Sequence, residues 1–297
     1  MTGVPATALA AAAAARVIMV IGDNDTGKTT LVTRLASELA RRGSTVGVVD
    51  ADLGQSDIGP PTTVGLGRVR APIEQLAQAE VVALHFVGVT SPARCVHETA
   101  EATGRLASHA LRNGCDRLVV DTCGLVDGDV GRALKRSKVE RVAPDLVIAL
   151  QRDDECEPIL DDCAATGRRA IVRLPAAPTT PRSMNARRRH RERMLAEHLA
   201  GAMPRVFDLA QFDVRSAPAT RGVAVIDLTE VLVGLQGRAG WTLGVGRTTG
   251  VDAARGRLTI ETTLDPARVS ALVIGREKFS GRELAGREIE GEVAGDV

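Results

Sequence analysis

The sequence predicts a doubly wound, mostly parallel α/β sheet followed by a small β-rich domain. Short apolar runs alternate with helix-like segments from residue 16 to about residue 202. A glycine-rich sequence separates the first run from the first helix, and the pattern changes near Pro204. We therefore expect an alanine-rich tail at 1–15, a nucleotide-binding domain at 16–203 and a β-rich domain at 204–297.

Six runs in the first domain are predicted to be strands because they are short and almost continuously apolar. Such runs suit strands that helices cover on both faces. They are Arg16–Gly22, Thr45–Asp50, Glu80–Val87, Arg117–Asp121, Asp145–Leu150 and Arg169–Arg173. Helical patterns at 31–42, 93–113, 129–141, 155–166 and 183–200 lie between or after them, which is the rhythm of a parallel sheet.

The two ends of the chain have a different character. After Pro204, alternating runs broken by Gly and Asp predict strands at Gly222–Leu228, Trp241–Arg247, Arg257–Thr262 and Ala271–Ile274. The alanine-rich run at 8–15 has no basic segment before it, so we interpret it as a frayed helix or disordered tail rather than a signal peptide. No run of 18 strongly apolar residues occurs, and we expect no membrane partner.

Length and composition indicate a globular protein, with 297 residues, 44% hydrophobic and 25% charged. The net charge of +1 provides no overall attraction to nucleic acid, so any basic binding surface must be local. With no Tyr, one Trp and four Phe, a broad aromatic platform that stacks many bases is not expected. The five cysteines lack zinc-type spacing, which favours reduced thiols in a cytoplasmic protein.

Residues 22–30 fit the phosphate-binding pattern G-x-x-x-x-G-K-[ST], and the sheet that surrounds them predicts a P-loop NTPase. Backbone N–H groups in such a loop turn toward phosphate oxygens at a helix N-terminus. Lys28 is expected to reach the β- and γ-phosphates, and the Thr29 hydroxyl to ligate Mg²⁺. A chance match is rare in a chain with four lysines against 34 arginines. The predicted nucleotide contacts are Asp23, Asn24, Asp25, Thr26, Gly27, Lys28, Thr29 and Thr30.

Asp50 and Asp52 end the second predicted strand, at the edge of the sheet where such folds bind ligands. One carboxylate could accept a proton from an attacking hydroxyl, and the other could order Mg²⁺ through water. In the alternative, Asp50 caps the strand and Asp52 is solvated in a turn. Beside a phosphate-binding loop, we interpret the pair as functional.

The run 118–121 is a hydrophobic strand that ends in an aspartate, which is the Walker B pattern. Asp121 is the expected outer-sphere partner of Mg²⁺, with Thr122 beside it. Cys123 follows, and no histidine base lies near it in sequence. We interpret it as a small buried residue rather than a nucleophile.

Residues 182–193 contain six arginines and one glutamate, a local charge of +5 from six minus one. Arg187 and Arg191 share one face of a predicted helix, and Arg182 precedes that helix. A mobile lid over a triphosphate is one use of this segment. A solvated basic helix or an RNA-backbone patch is the alternative, and lid and backbone contact are compatible. Arg188 is a candidate substrate contact, although separate roles for Arg188, Arg189 and Arg193 do not follow from the sequence.

Ser91 follows the predicted strand at 80–87 and precedes Pro92. Its hydroxyl could enter the ligand crevice as a substrate contact. The competing interpretation, which we favour, is that Ser91 only caps the helix predicted from residue 93.

These motifs together resemble the polynucleotide 5′-hydroxyl kinase family. That family includes the kinase subunit of the mRNA 3′-end cleavage factor, the pre-rRNA-processing kinases and shorter microbial relatives. The resemblance rests on GDNDTGKTT at 22–30, DADLGQSDIGPP at 50–61, GVTSP at 88–92, DTCG at 121–124 and the arginine run. It covers residues 16–202, and the β-rich tail resembles the family's C-terminal domain.

The resemblance implies transfer of the γ-phosphate of ATP to the 5′-hydroxyl of RNA, with DNA as a further acceptor. Single-stranded RNA ends are then the expected partner, and protein partners are unknown. Asp52 becomes the candidate general base, Thr122 a further contact in the metal site, and Gln55 a residue on the acceptor side. Lys28, Arg182, Arg187 and Arg191 match catalytic positions of the family, and residues 178–200 match its lid.

Two departures from the family pattern affect substrate contact. Leu125 follows Gly124 where the family often has Trp, which implies a weaker or displaced stacking contact with the substrate end. Larger members carry a β domain before the loop, whereas about fifteen residues precede the first predicted strand here. The resemblance then implies that docking through that domain is not available.

Two rival functions remain open at this point. A GTPase would need a guanine-reading N-K-x-D after the predicted strand Asp145–Leu150, but residues 151–154 are Gln-Arg-Asp-Asp. ATP is therefore favoured over GTP. A nucleotide-binding scaffold of an RNA-processing assembly would keep the loop without the base and the lid. Because Asp52 and the arginines are present, we place the kinase ahead of the scaffold.

Overall fold

The computed structural model describes residues 3–165, 167, 169–178, 182–218 and 228–280. The helices are α1 Ala6–Ala14, α2 Lys28–Arg41, α3 Val96–Arg112, α4 Gly128–Val142, α5 Glu157–Ala164 and α6 Met184–His198. Seven strands belong to the first part of the chain: β1 Val17–Gly22, β2 Val46–Ala51, β3 Thr63–Val69, β4 Glu80–Phe86, β5 Arg117–Thr122, β6 Leu146–Gln151 and β7 Ala170–Pro175. Six follow: β8 Met203–Asp208, β9 Asp213–Ser216, β10 Val231–Gln236, β11 Thr242–Asp252, β12 Arg257–Thr262 and β13 Ala271–Lys278.

Five strands form the parallel centre of the sheet, in the order β7-β6-β1-β5-β2. Helices α1 and α2 pack on one face through Ala8, Ala12 and Leu35, and α3, α4 and α5 pack on the other through Leu106, Val139 and similar side chains. Every residue of β1 and β2 is buried. The predicted doubly wound α/β class is therefore confirmed.

The sheet continues beyond β2 through strands that run in alternating directions, except that the outermost strand β9 is parallel to β13. β3 pairs antiparallel with β2, β4 with β3, and β11 with β4 at the single pair Thr242–Leu84. The C-terminal strands β10, β13 and β9 follow in order, while β12 pairs with β11 and β8. Because Thr242 Oγ1 also accepts the Phe86 N–H at 3.0 Å, hydrogen bonds join the C-terminal strands to the nucleotide-binding part.

The strand β3 was not predicted from the sequence, and neither were β8, β9 and β10. Residues Thr63–Val69 contain two glycines, and a side chain at Gly65 would lie 1.9 Å from the Ile58 carbonyl oxygen. Glycine at these positions lets the turn at 50–62 approach the strand closely. The glycines also interrupt the apolar run by which a strand is predicted. The strand predicted at 222–228 lies outside the described residues except for Leu228.

The alanine-rich segment forms the helix α1, so the disordered alternative is wrong for residues 6–14. Ala8 and Ala12 have no exposed surface and pack in the cluster that contains Leu35 and Ile148. Small side chains let the helix lie close to the sheet, so the segment is more firmly packed than a frayed tail.

Candidate active site

The phosphate-binding loop connects β1 to α2 and carries the predicted donor residues. Gly27 has φ +91°, a left-handed conformation that favours glycine, and it places the next residue at the start of the helix. Lys28 Nζ donates to the Asp23 carbonyl at 2.6 Å, and the Thr26 hydroxyl donates to the same oxygen at 2.8 Å. Burial lowers the pKa of Lys28, and the Asp121 carboxylate opposes that change. The loop therefore presents a nearly buried ammonium group at a helix N-terminus.

Asp121 lies directly behind the loop, at the end of β5. The Thr29 hydroxyl donates to Asp121 Oδ2 at 2.6 Å, while Oδ1 is buried and accepts no hydrogen bond from the described residues. Burial raises the pKa of Asp121 to about 6, against the opposing charge of Lys28. A buried carboxylate oxygen without a donor fits a hydrated cation held with Thr29.

The described residues contain no group of three or more His, Cys, Asp or Glu side chains arranged to hold a metal ion. Mg²⁺ at phosphate sites takes only one or two protein ligands and fills the remaining positions with phosphate and water. The donor set around Thr29 and Asp121 therefore fits this ion without a protein cage. Thr122 donates its hydroxyl proton to the Val20 carbonyl at 2.9 Å and is buried beside the same site.

Asp50 and Asp52 have different surroundings although they lie two residues apart. Asp50 is buried and its Oδ2 accepts the Asp57 N–H at 2.6 Å and the Ile58 N–H at 3.1 Å. Burial and the neighbouring carboxylates Asp121, Asp57 and Asp52 raise its pKa well above the ordinary value. Asp50 thus stabilises the turn that follows β2. This arrangement corresponds to the alternative in which Asp50 caps the strand.

Asp52 is half-buried and lines the same cavity as Lys28 and Thr29. Its Oδ1 accepts the N–H groups of Gly54 and Gln55 at 2.9 and 3.0 Å. These two bonds fix the direction of the carboxylate, and Oδ2 makes no hydrogen bond with the described part of the chain. The arrangement leaves one oriented carboxylate oxygen opposite the phosphate-binding loop.

The arginine segment forms α6, whose N-cap is Ser183 with its side chain accepting the Ala186 N–H at 3.2 Å. Arg187 Nη2 donates to Asp25 Oδ2 at 2.6 Å, and the Arg182 N–H donates to the same oxygen at 2.9 Å. Gln55 Nε2 lies 3.3 Å from the Arg187 carbonyl. The start of α6 is therefore fastened both to the phosphate-binding loop and to the turn after β2.

Most of the predicted site residues line one cavity of about 470 Å³. Those that line it are Asn24, Asp25, Gly27, Lys28, Thr29, Thr30, Asp52, Gln55, Thr122, Arg182 and Arg187. Asp57 and His190 also line it, and neither was singled out from the sequence. Burial raises the pKa of Asp57, against the opposing charge of His190.

Other predicted residues lie around the cavity rather than in its wall. Asp23 and Thr26 stabilise the loop, because the Asp23 carbonyl accepts hydrogen bonds from the Thr26 hydroxyl and from Lys28 Nζ. Arg191 packs on the turn after β2, because a side-chain carbon at Gly54 would lie 3.9 Å from Arg191 Cδ. Arg188 is exposed and lies 3.7 Å from Glu192. Ser91 is exposed before the turn Pro92–Arg94, and its side chain makes no capping hydrogen bond.

Arg152 is a further contact of the phosphate-binding loop that the sequence did not reveal. Its Nη2 donates to the carbonyls of Asn24 and Asp25 at 3.0 and 3.3 Å, and its Nη1 lies 3.2 Å from Asp23 Oδ2. Arg152 belongs to the stretch after β6 that a GTPase would use to read guanine. Here that stretch supports the loop instead.

This fold and this cavity define a nucleoside-triphosphate-binding protein of the P-loop class. Residues 22–201 match the family described as "mRNA cleavage and polyadenylation factor CLP1 P-loop". The chain therefore belongs to the CLP1 P-loop family. No helix in the described ranges is long and apolar enough to cross a bilayer.

Two relatives agree with this placement, and a solved structure has a similar fold. A polyribonucleotide 5′-hydroxyl-kinase of Pyrococcus furiosus is 43% identical over 143 residues, which is 48% of this chain and 40% of that protein. The match thus spans less than half of that relative's length. A protein of the same name from Thermococcus kodakarensis is 30% identical over 90% of both chains. A chain in the structure of the wild-type Clp1p–Pcf11p complex superposes with a TM-score of 0.67 at 12% identity, covering 88% of this chain and 74% of that one.

Proposed function

We propose that this protein is an ATP-dependent polynucleotide kinase that phosphorylates the 5′-hydroxyl end of RNA. The observation that carries the proposal is the shared cavity, in which Lys28 and Thr29 of the phosphate-binding loop lie opposite Asp52. A donor cradle and an oriented carboxylate are what phosphoryl transfer to a hydroxyl requires. The names of the relatives from Pyrococcus and Thermococcus support the same activity.

In this proposal the 5′-oxygen of the acceptor forms a bond to the γ-phosphorus while the bond from that phosphorus to the β–γ bridging oxygen breaks. ADP leaves with the bridging oxygen. Asp52 Oδ2 receives the hydroxyl proton, since Oδ1 is already occupied by the Gly54 and Gln55 N–H groups. Lys28 and the loop amides hold the transferred group in line.

Mg²⁺ would be held by the Thr29 hydroxyl with Asp121 behind it, and it would neutralise phosphate charge. Arg187 of α6 and Arg182, which precedes that helix, would serve the same purpose. Arg187 already lies against the loop through Asp25, and Arg182 lines the cavity. Gln55 is the proposed contact on the side of the cavity where the acceptor end would enter. The expected cytoplasmic location and the preference for single-stranded RNA ends stay predictions.

The test is transfer of labelled γ-phosphate from ATP to a single-stranded RNA oligonucleotide with a 5′-hydroxyl, in the presence of Mg²⁺. The same oligonucleotide with a 5′-phosphate is the matched control and should accept no label. Matched DNA and GTP reactions measure the acceptor and donor preferences. ATP binding without transfer over a range of Mg²⁺ concentrations would contradict the kinase and favour the scaffold.

A separate variant tests the assignment of Asp52 as the general base. Asp52→Asn should lower kcat at least about 10²-fold because the amide cannot accept the proton, while the Kd for ATP changes less than about twofold. Asp57→Asn is the control, since it makes the same chemical change in the same cavity. If Asp52→Asn keeps most of its kcat, or if Asp57→Asn is the more damaging change, Asp52 is not the base.

A further inference from the structure

Two lysines of α4, Lys135 and Lys138, are completely buried. They lie three residues apart, on the helix face that meets the ends of the parallel strands. The chain has only four lysines, and with Lys28 three of them lie at this edge of the sheet. Four carboxylates, those of Asp50, Asp52, Asp57 and Asp121, lie at the same edge. The two α4 lysines therefore lie near a concentrated group of acidic side chains.

Lys138 stabilises the end of β2 through a hydrogen bond. Its Nζ donates to the Ala51 carbonyl at 3.0 Å, and Ala51 directly precedes Asp52. Burial lowers the pKa of Lys138, because it removes water from the ammonium group. An apolar side chain of equal length would serve packing better than a buried ammonium group. Stability alone therefore does not explain a lysine here.

Lys135 holds the turn that follows the Walker B strand β5. Its Nζ donates to the Cys123 carbonyl at 2.6 Å and to the Leu125 carbonyl at 3.0 Å. Gly124, between these two residues, touches the phosphate-binding loop so closely that a side chain would lie 2.2 Å from Asn24 Oδ1. Lys135 thus supports the surface on which the loop rests.

We propose that Lys135 and Lys138 are positioning residues with separate tasks, Lys135 for the donor side and Lys138 for the acceptor side. Lys138 fixes the Asp52 turn through the Ala51 carbonyl. Lys135 fixes the turn at 123–125 and, through it, the phosphate-binding loop. The inference rests on the proposed function, because it assigns the two lysines to the two halves of that reaction.

The experiment compares Lys138→Met and Lys135→Met with the wild type, using ATP·Mg²⁺ and a single-stranded 5′-hydroxyl RNA oligonucleotide. Lys138→Met should lower kcat at least about tenfold, because small displacements of a catalytic group are damaging, and should leave the Kd for ATP within about twofold. Lys135→Met should instead raise the Kd for ATP at least about fivefold. Loss of packing alone would not divide the two effects in this way.

ATP binding also shows that each variant is folded. If Lys138→Met does not bind ATP, Lys138→Gln is measured in its place, because glutamine keeps an N–H donor. If neither variant binds ATP, the role of Lys138 is merely structural and the proposal is overturned. Unchanged kcat in Lys138→Met, or equal changes of kcat and Kd in both methionine variants, overturns it as well. Absence of transfer by the wild type contradicts the kinase assignment instead, and the Kd comparison for Lys135 is unaffected by that result.

Discussion

The strand-end side of the cavity and the arginine helix α6 face each other but are built in opposite ways. Lys28, Asp121 and Thr122 are buried, and their positions follow from backbone that the sheet holds. In α6 only Leu195 is buried, so the helix depends on a few contacts at its two ends. The comparison indicates that one side is fixed by the buried sheet, whereas the other is held by fewer contacts and should have the lower local stability.

The fixed side should respond most strongly to mutation of Lys28. Lys28→Met should lower kcat/KM at least about 10²–10³-fold, because it removes a charge that acts on the transferred phosphoryl group in a nearly dry site. Steady-state kinetics of transfer measure this effect, and Lys278→Met provides a lysine-to-methionine control on β13. A loss below about tenfold in Lys28→Met would show that the buried ammonium does not act on the phosphates.

The fixed side is also the part that the sequence predicts well. Buried parallel strands produce continuous apolar runs, and the candidate phosphate-binding residues lie within one contiguous motif, so both were visible without a structure. Asp121 was found in the same way, because Walker B is a pattern of adjacent residues. Site residues that come from distant segments have no such pattern.

Lys135, Lys138 and Arg152 illustrate what the sequence does not contain. The pattern at 129–141 predicts a helix, but charged residues in a helix are normally assigned to its solvent side. Lys135 and Lys138 are buried because they reach carbonyl groups of other segments, at Ala51, Cys123 and Leu125, which become neighbours only in the folded chain. Arg152 is exposed, and its partners, the Asn24 and Asp25 carbonyls, are likewise distant in sequence. Scarcity of lysine was the one available signal, because three of the four belong to this site.

The arginine-helix side should show an intermediate effect. Arg191→Ala should lower kcat about 10- to 100-fold and raise the KM for ATP less, since a lid arginine acts on charge that develops during transfer. Arg189→Ala, an exposed change on the same helix, is the matched control and should stay within about twofold. An effect of Arg191→Ala confined to the KM for RNA would make α6 a backbone contact and remove its lid role.

The smallest effect is expected at the C-terminal end of α6, where His198 ties the helix to β11. His198 Nε2 accepts the Val245 N–H at 3.0 Å, which requires the neutral ring, and burial lowers the pKa of His198. A histidine with a folded-state pKa below its unfolded value stabilises the fold fully above about pH 6.5 and loses this contribution as pH falls toward the folded pKa. His198→Gln keeps an acceptor without a titrating ring, so the Tm difference between wild type and variant should change by about 2 °C between pH 7.5 and pH 5.

The other histidines titrate in both proteins and cancel in this difference. Parallel Tm curves over that range would show that α6 is not held through His198, and the contrast between the two sides would then rest on Leu195 and the Asp25 contacts alone.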